Sequence, residues 1–97
     1  MTLFRQEIPP HVAEAIRHLP PDVKRGVKAA LRSISVDPGS GIPLVKDLEG
    51  FWKYRVRRYR VVYSIDRSRR AIRIIAVGHR RRIYEDVLEQ LGSRKRA

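Results

Sequence analysis

The side chains in this sequence best suited to chemistry are Arg55, Arg57, Arg60 and Arg80, with His79 just before the last of them and Tyr84 a short distance after it. A guanidinium stays charged and donates two parallel hydrogen bonds, so it suits the oxygens of a phosphate and is a poor general acid or base. A group of four reads as a clamp for negative charge. His79 offers an imidazole, which exchanges protons near neutrality. Lys53 lies two residues before Arg55. Each has a plainer alternative: a solvated strand face for Arg55 and Arg57, a hydrogen-bonding histidine at a strand end for His79, and a helix-packing ring for Tyr84.

The surrounding charge favours the phosphate reading. The 97 residues carry 22 Lys plus Arg against 10 Asp plus Glu, a net charge of +12. Residues 1–50 hold seven basic and six acidic side chains, and residues 51–97 hold fifteen and four. That concentration of arginine attracts polyanions, with nucleic acid the leading class. A membrane surface would call for an amphipathic helix with a basic face, and most of these arginines lie in strand-like sequence. No apolar run approaches the roughly 20 residues that cross a bilayer. Cysteine is absent, which excludes disulfides, thiolate nucleophiles and Cys-ligated metals. The acidic residue and two prolines of MTLFRQEIPP do not read as an export signal, so a cytoplasmic location is expected. The scattered histidines form no ligand cluster and the glycines no phosphate loop, so neither metal nor cofactor is expected.

The elements that must position these residues can be read in order. Residues 2–8 are extended, up to Pro9-Pro10. A helix over 10–19 carries Val12, Ile16 and Leu19 on one stripe, and Pro20-Pro21 breaks it. A second helix, with Asp22 as its N-cap, presents Val23, Val27, Ala30, Leu31 and Ile34, and ends near Asp37-Pro38-Gly39. Residues 37–50 read as a loop. Three strands follow, over about 51–57, 59–65 and 71–78, joined by short turns into an antiparallel meander. The two-residue connection Arg57-Arg58 lacks the Asn or Gly that such a hairpin favours. Ile83, Val87, Leu88 and Leu91 make a short C-terminal helix stopped by Gly92, and residues 93–97, with Arg94, Lys95 and Arg96, read as a mobile basic tail. By strand parity Trp52, Tyr54, Val56, Tyr59, Val61, Tyr63 and Ile65 face the core, and Lys53, Arg55, Arg57 and Arg60 form an exposed basic face. The sum is a single α+β domain, βααβββα, with a small, mainly antiparallel four-stranded sheet on a helical hairpin.

Leu48-Glu49-Gly50, Tyr54-Arg55-Val56-Arg57, Tyr59-Arg60-Val61-Val62-Tyr63, Val77-Gly78-His79-Arg80 and Ile83-Tyr84 together resemble the RelE/ParE toxin superfamily. The resemblance spans most of the chain, and the element order agrees with it. Relatives resembling RelE are implied to be ribosome-dependent endoribonucleases that cut messenger RNA in the A site without a metal, thereby inhibiting translation, and that a cognate antitoxin restrains. Relatives resembling ParE poison DNA gyrase instead. The RelE resemblance casts Arg55, Arg57, Arg60 and Arg80 as the charge clamp, His79 as acid or base, and Tyr84 as a stacking or hydroxyl-orienting ring. Lys53, Arg58, Arg81 and Arg82 are expected to contact RNA. Relatives commonly carry lysine where Arg55 and Arg57 stand, so the usual titratable base is replaced here by guanidinium. A noncatalytic basic RNA-binding module is the reading from a different class.

Overall fold

A computed structural model describes the main chain of residues 3–95 and the side chains of residues 3–92. The order is β1 (Arg5–Glu7), α1 (Pro10–Arg17), α2 (Pro21–Val36), a 3-10 turn at Pro38–Ser40, β2 (Ile42–Pro43), a second 3-10 turn at Lys46–Leu48, β3 (Trp52–Val56), β4 (Tyr59–Asp66), β5 (Ala71–His79) and α3 (Ile83–Lys95). The strands form one sheet in the order β1-β5-β4-β3-β2, with β1 parallel to β5 and the other neighbours antiparallel. The sheet therefore has five strands where four were expected. The extra one is a two-residue edge pairing inside the 37–50 segment, where Ile42 and Pro43 lie against Lys53 and Trp52.

Both helices of the hairpin start at a Pro-Pro pair. Pro9 and Pro20 stay extended, with ψ of 154° and 146°, because a residue preceding proline is disfavoured in the helical region. The second proline of each pair enters the first turn, where its missing N–H costs nothing. Pro20, not Asp22, therefore occupies the N-cap of α2, and no side chain caps that end. Asp22 sits in the first turn, where the helix dipole favours a carboxylate. α1 ends at Arg17, short of Leu19. At the other end of the chain, α3 runs through Gly92 to Lys95, so residues 93–95 are helical rather than a tail. Residues 96 and 97, which the expected tail also included, lie outside the described residues.

Two cores result, one on each face of the sheet. Val12, Ile16, Val23, Val27, Ala30, Leu31 and Ile34 of the hairpin pack on Val56, Val61, Tyr63, Ile72 and Ile74. On the opposite face Leu48, Val62, Ile75, Ile83 and Val87 form a smaller cluster under α3. Each fully buried aliphatic side chain contributes about 1.5–3 kcal/mol. The hairpin comes close to the sheet at Gly26, where a Cβ would lie 2.7 Å from Val56 Cγ1.

A register shift between β4 and β5 makes the second core possible. Val62 pairs with Ala76 but Tyr63 pairs with Ile74, which leaves Ile75 as the extra residue of a β-bulge. Ile72, Ile74 and Val77 face the hairpin, whereas Ile75 and Ala76 both face α3. The bulge reverses the parity of everything after it.

Tyr63 ties the two-strand core to the loop that follows α2. It is fully buried, and its hydroxyl donates to Pro38 O at 2.7 Å. Trp52 stacks on its ring at 6.3 Å between centroids. Burial pushes the hydroxyl above the ordinary phenol range. A group raised in the folded state contributes stability below its unfolded value, about pH 10, and loses it as pH rises further. Tyr63→Phe is expected to lower stability by about 1–2 kcal/mol near neutral pH through the orphaned Pro38 carbonyl. In urea unfolding the gap between variant and wild type should narrow above about pH 10.

Candidate functional site

The hairpin between β3 and β4 brings the basic residues together. Val56 pairs with Tyr59, so Arg57 and Arg58 form a two-residue turn. Arg57 takes φ of 55°, a left-handed value that glycine or asparagine would adopt more easily. Arg58 O accepts from Arg80 N at 2.7 Å, which fastens this turn to the end of β5. Beyond it, Arg82 N donates to His79 O and Asp86 N to Arg82 O, carrying the chain through a turn into α3. Arg58, Arg80, Arg81 and Arg82 are all exposed on these two adjoining turns.

The expected basic face is exposed only in part: Arg55 and Arg57 are exposed, Lys53 is half-buried and Arg60 is buried. Arg60 is only 8 % exposed, and its Nη1 donates to Arg57 O at 3.0 Å and Tyr59 O at 2.8 Å. The physical reason lies in the register: Arg55 and Arg60 are directly opposite on β3 and β4, and like charges in that position repel. Drawing the Arg60 guanidinium towards the turn carbonyls relieves the repulsion and clamps the hairpin. Arg57 also leaves the set. Its guanidinium lies 3.3 Å from Asp22 Oδ2 at the start of α2, on the hairpin side.

His79 is separated from the rest by the bulge. It pairs with Tyr59, and the two rings meet edge-on at 5.7 Å, on the face covered by the helical hairpin. Its Nδ1 accepts from Arg81 N at 3.3 Å, which leaves Nε2 as the protonated nitrogen of the neutral ring. Gly78, one residue earlier, points to the other face, where a Cβ would lie 3.2 Å from Ile83 Cδ1. That close approach seats the start of α3 on the sheet and fixes Tyr84.

Tyr84 is half-buried, as the helix-packing reading expects. Its ring packs against the Leu48, Val62, Ile75, Ile83 and Val87 cluster, and Lys53 Nζ stands 5.8 Å from the ring centroid. Lys53, Arg55 and Tyr84 thus share the α3 face, beside the rim of Arg58, Arg80, Arg81 and Arg82. Sequence reasoning missed Asp22 as the partner of Arg57, and no spacing signals it. It also missed the turning of His79, although the adjacent apolar pair Ile74-Ile75 interrupts the alternation and marks the bulge. Among the described residues no group of three or more His, Asp or Glu is placed to hold a metal, and no helix is long and apolar enough to cross a membrane.

A five-stranded sheet with a helical hairpin on one face, one helix on the other and an arginine-rich hairpin end defines a toxin fold of the RelE/ParE superfamily. Residues 6–84 match the family described as ParE toxin of type II toxin-antitoxin system, parDE, and the chain belongs to that family. It is the toxin of a type II toxin–antitoxin system. Among solved structures it is similar to the toxin–antitoxin complex RelBE2 of Mycobacterium tuberculosis, with 27% identity over 82% of this chain and 94% of that one, at a TM-score of 0.73. The archaeal RelE–RelB complex of Pyrococcus horikoshii OT3 matches at 24% identity over 82% and 97%, with a TM-score of 0.67. A mutant Escherichia coli RelE toxin in the free state matches at 19% over 97% and 98%, with a TM-score of 0.73, a likeness of fold. A comparison with curated protein sequences gave no match.

The two hydrogen bonds of Arg60 make it a structural clamp. Arg60→Met is expected to destabilise the protein by about 2 kcal/mol, lowering its thermal midpoint, whereas Arg55→Met on the opposite strand should leave the midpoint nearly unchanged or slightly raised.

Proposed function

We propose that this toxin is a metal-independent endoribonuclease that cleaves messenger RNA in the ribosomal A site and so inhibits translation. The observation that carries this reading is the meeting of Lys53 and Tyr84 beside Arg55 and the Arg58, Arg80, Arg81 and Arg82 rim. The ribose 2′-hydroxyl supplies its own nucleophile, so a site needs to accept its proton, stabilise the phosphate oxygens and protonate the departing 5′-oxygen. Arg55 and Arg80 suit the second task. Lys53 suits proton exchange better than any guanidinium, since an amine gives up its proton more readily than a guanidinium does. Tyr84 offers a ring on which a base can stack and a hydroxyl that can orient the ribose. Arg57, Arg60 and His79 take no direct part in this reading, because Arg60 is buried against main-chain carbonyls, Arg57 pairs with Asp22 and the His79 ring lies against Tyr59 on the other face of the sheet.

A cognate antitoxin is the proposed protein partner, as the M. tuberculosis and P. horikoshii relatives are in toxin–antitoxin complexes, and the cytoplasm is the proposed location of this chain. An acidic segment would complement the +12 charge of this chain and speed association. A second reading, gyrase poisoning, is favoured by the family match itself, which is to ParE toxins.

Primer extension on a defined message in a purified translation system tests the proposal. Wild type should give ribosome-dependent breaks, and Lys53→Met and Arg80→Ala should each reduce their rate by about 100-fold or more while still folding. Free RNA should stay intact in a parallel arm. Unbroken message, together with inhibition of gyrase supercoiling, would replace this reading with the second.

A further inference from the structure

Arg5 on β1, Arg69 in the β4–β5 turn and Arg73 on β5 come from three separate elements and converge on one carboxylate. Arg5 Nη2 and Arg69 Nη2 lie 3.4 Å and 3.0 Å from Glu7 Oε2, and Arg73 Nη2 lies 3.5 Å from Oε1. The three arginine side chains are 60%, 53% and 50% exposed, while that of Glu7 is 26% exposed. Glu7, Arg69 and Arg73 line a depression of about 190 Å³ together with Ser64, Asp66 and Ala71. Arg67 and Arg70 stand exposed on the same turn. Two carboxylates face the three guanidinium ions: Glu7, and Asp66, whose Oδ2 lies 3.9 Å from Arg69 Nη1 and whose Oδ1 accepts from Ser68 Oγ and Arg69 N, so the cluster keeps a surplus of positive charge.

We propose that Arg5, Arg69 and Arg73 form a phosphodiester-binding cradle, in which the Glu7 carboxylate occupies the place of a backbone phosphate of a nucleic-acid strand. The cradle lies at the opposite end of β4 from the Arg57-Arg58 turn, roughly 20 Å away along the strand, so it is a separate surface from the Lys53 and Tyr84 site. Three forked donors around one oxyanion match the non-bridging oxygens of a phosphate, and the surplus of positive charge is what successive phosphates along a strand would neutralise. Partial burial pushes the Glu7 carboxyl up, but the hydrogen bond from Arg5 and the charges of Arg69, Arg73 and Arg5 outweigh it and hold the group below the usual carboxylate range. Glu7 is consequently ionised near neutrality and competes with any incoming phosphate. The proposal rests on the preceding functional reading only in naming that strand as RNA.

The competition gives the test its direction. Binding of labelled single-stranded RNA and DNA, each about 20 nucleotides long, is measured by fluorescence anisotropy for Glu7→Gln and for Glu14→Gln, which adds the same net charge on α1. Glu7→Gln should tighten binding to both strands by about tenfold and Glu14→Gln by less than about twofold. Arg69→Gln combined with Arg73→Gln should weaken binding, and the slope of log K against log salt should flatten by about 1.4 between roughly 50 and 200 mM. Adding Glu7→Gln to that pair should then give no gain. Equal effects of the two glutamate variants, or a gain that survives loss of both arginines, would overturn the cradle. So would a gain seen with poly-glutamate and absent with RNA and DNA, which would assign the surface to an acidic protein. These readouts are of binding and the nuclease assay is of strand breaks, so either proposal fails without the other.

Discussion

Val61, Tyr63 and Ile74 on one face of β4 and β5, and Val62 and Ile75 on the other, are all buried, so these two strands make an apolar wall that needs cover on both sides. The helical hairpin covers one side, and α3 must come back over the other. The bulge at Ile75 lets an unbroken apolar run serve two cores, by presenting Ile75 and Ala76 to the same face. Two features of the functional end then follow. Gly78 has to be small where Ile83 settles on the sheet, and His79 is turned to the hairpin side, away from Tyr84.

The same wall sets the limits within which so much arginine can be carried. Strands β3 and β4 place Arg55 opposite Arg60, and a sheet leaves little room for two guanidinium ions side by side. The fold resolves this with main-chain carbonyls: Arg60 is held by Arg57 O and Tyr59 O, next to a turn whose first residue has positive φ. Arg57 is drawn to Asp22, which ties the β3–β4 hairpin to the first turn of α2. At the far end of the sheet Glu7 gathers Arg5, Arg69 and Arg73 at the surface, where half or more of each side chain stays exposed. Arginines of one sequence pattern are thereby divided between those that hold the fold and those that remain free to meet a ligand.

This division bears on how a toxin of this family can act. A nuclease needs a small number of groups converging on one phosphodiester, and the proposed site draws them from Lys53 and Tyr84, which meet on the α3 side of the sheet. A docking toxin needs a charged outline and no convergence.

Much of the architecture was legible in the sequence because it depends on local rules. The two Pro-Pro pairs, the 3–4 spacing of Val12 and Ile16 or Val23 and Val27, and the alternation of Trp52, Tyr54 and Val56 fix a helical hairpin and a strand without reference to anything distant. The RelE/ParE resemblance, carried by YRVVY and the GHR run with its tyrosine, was legible for the same reason. Parity even placed Lys53 and Arg55 on one face correctly. It failed where tertiary contacts decide: α3 packs on the face that alternation had left to solvent, Arg60 is buried against the carbonyls of Arg57 and Tyr59, and Arg57 answers to a carboxylate at the start of α2. A strand's period assigns side chains to faces, but which face is covered, and which charge finds a partner there, depends on segments far away in the chain. Those were decided only when β1, α2 and α3 came together around the β4–β5 wall.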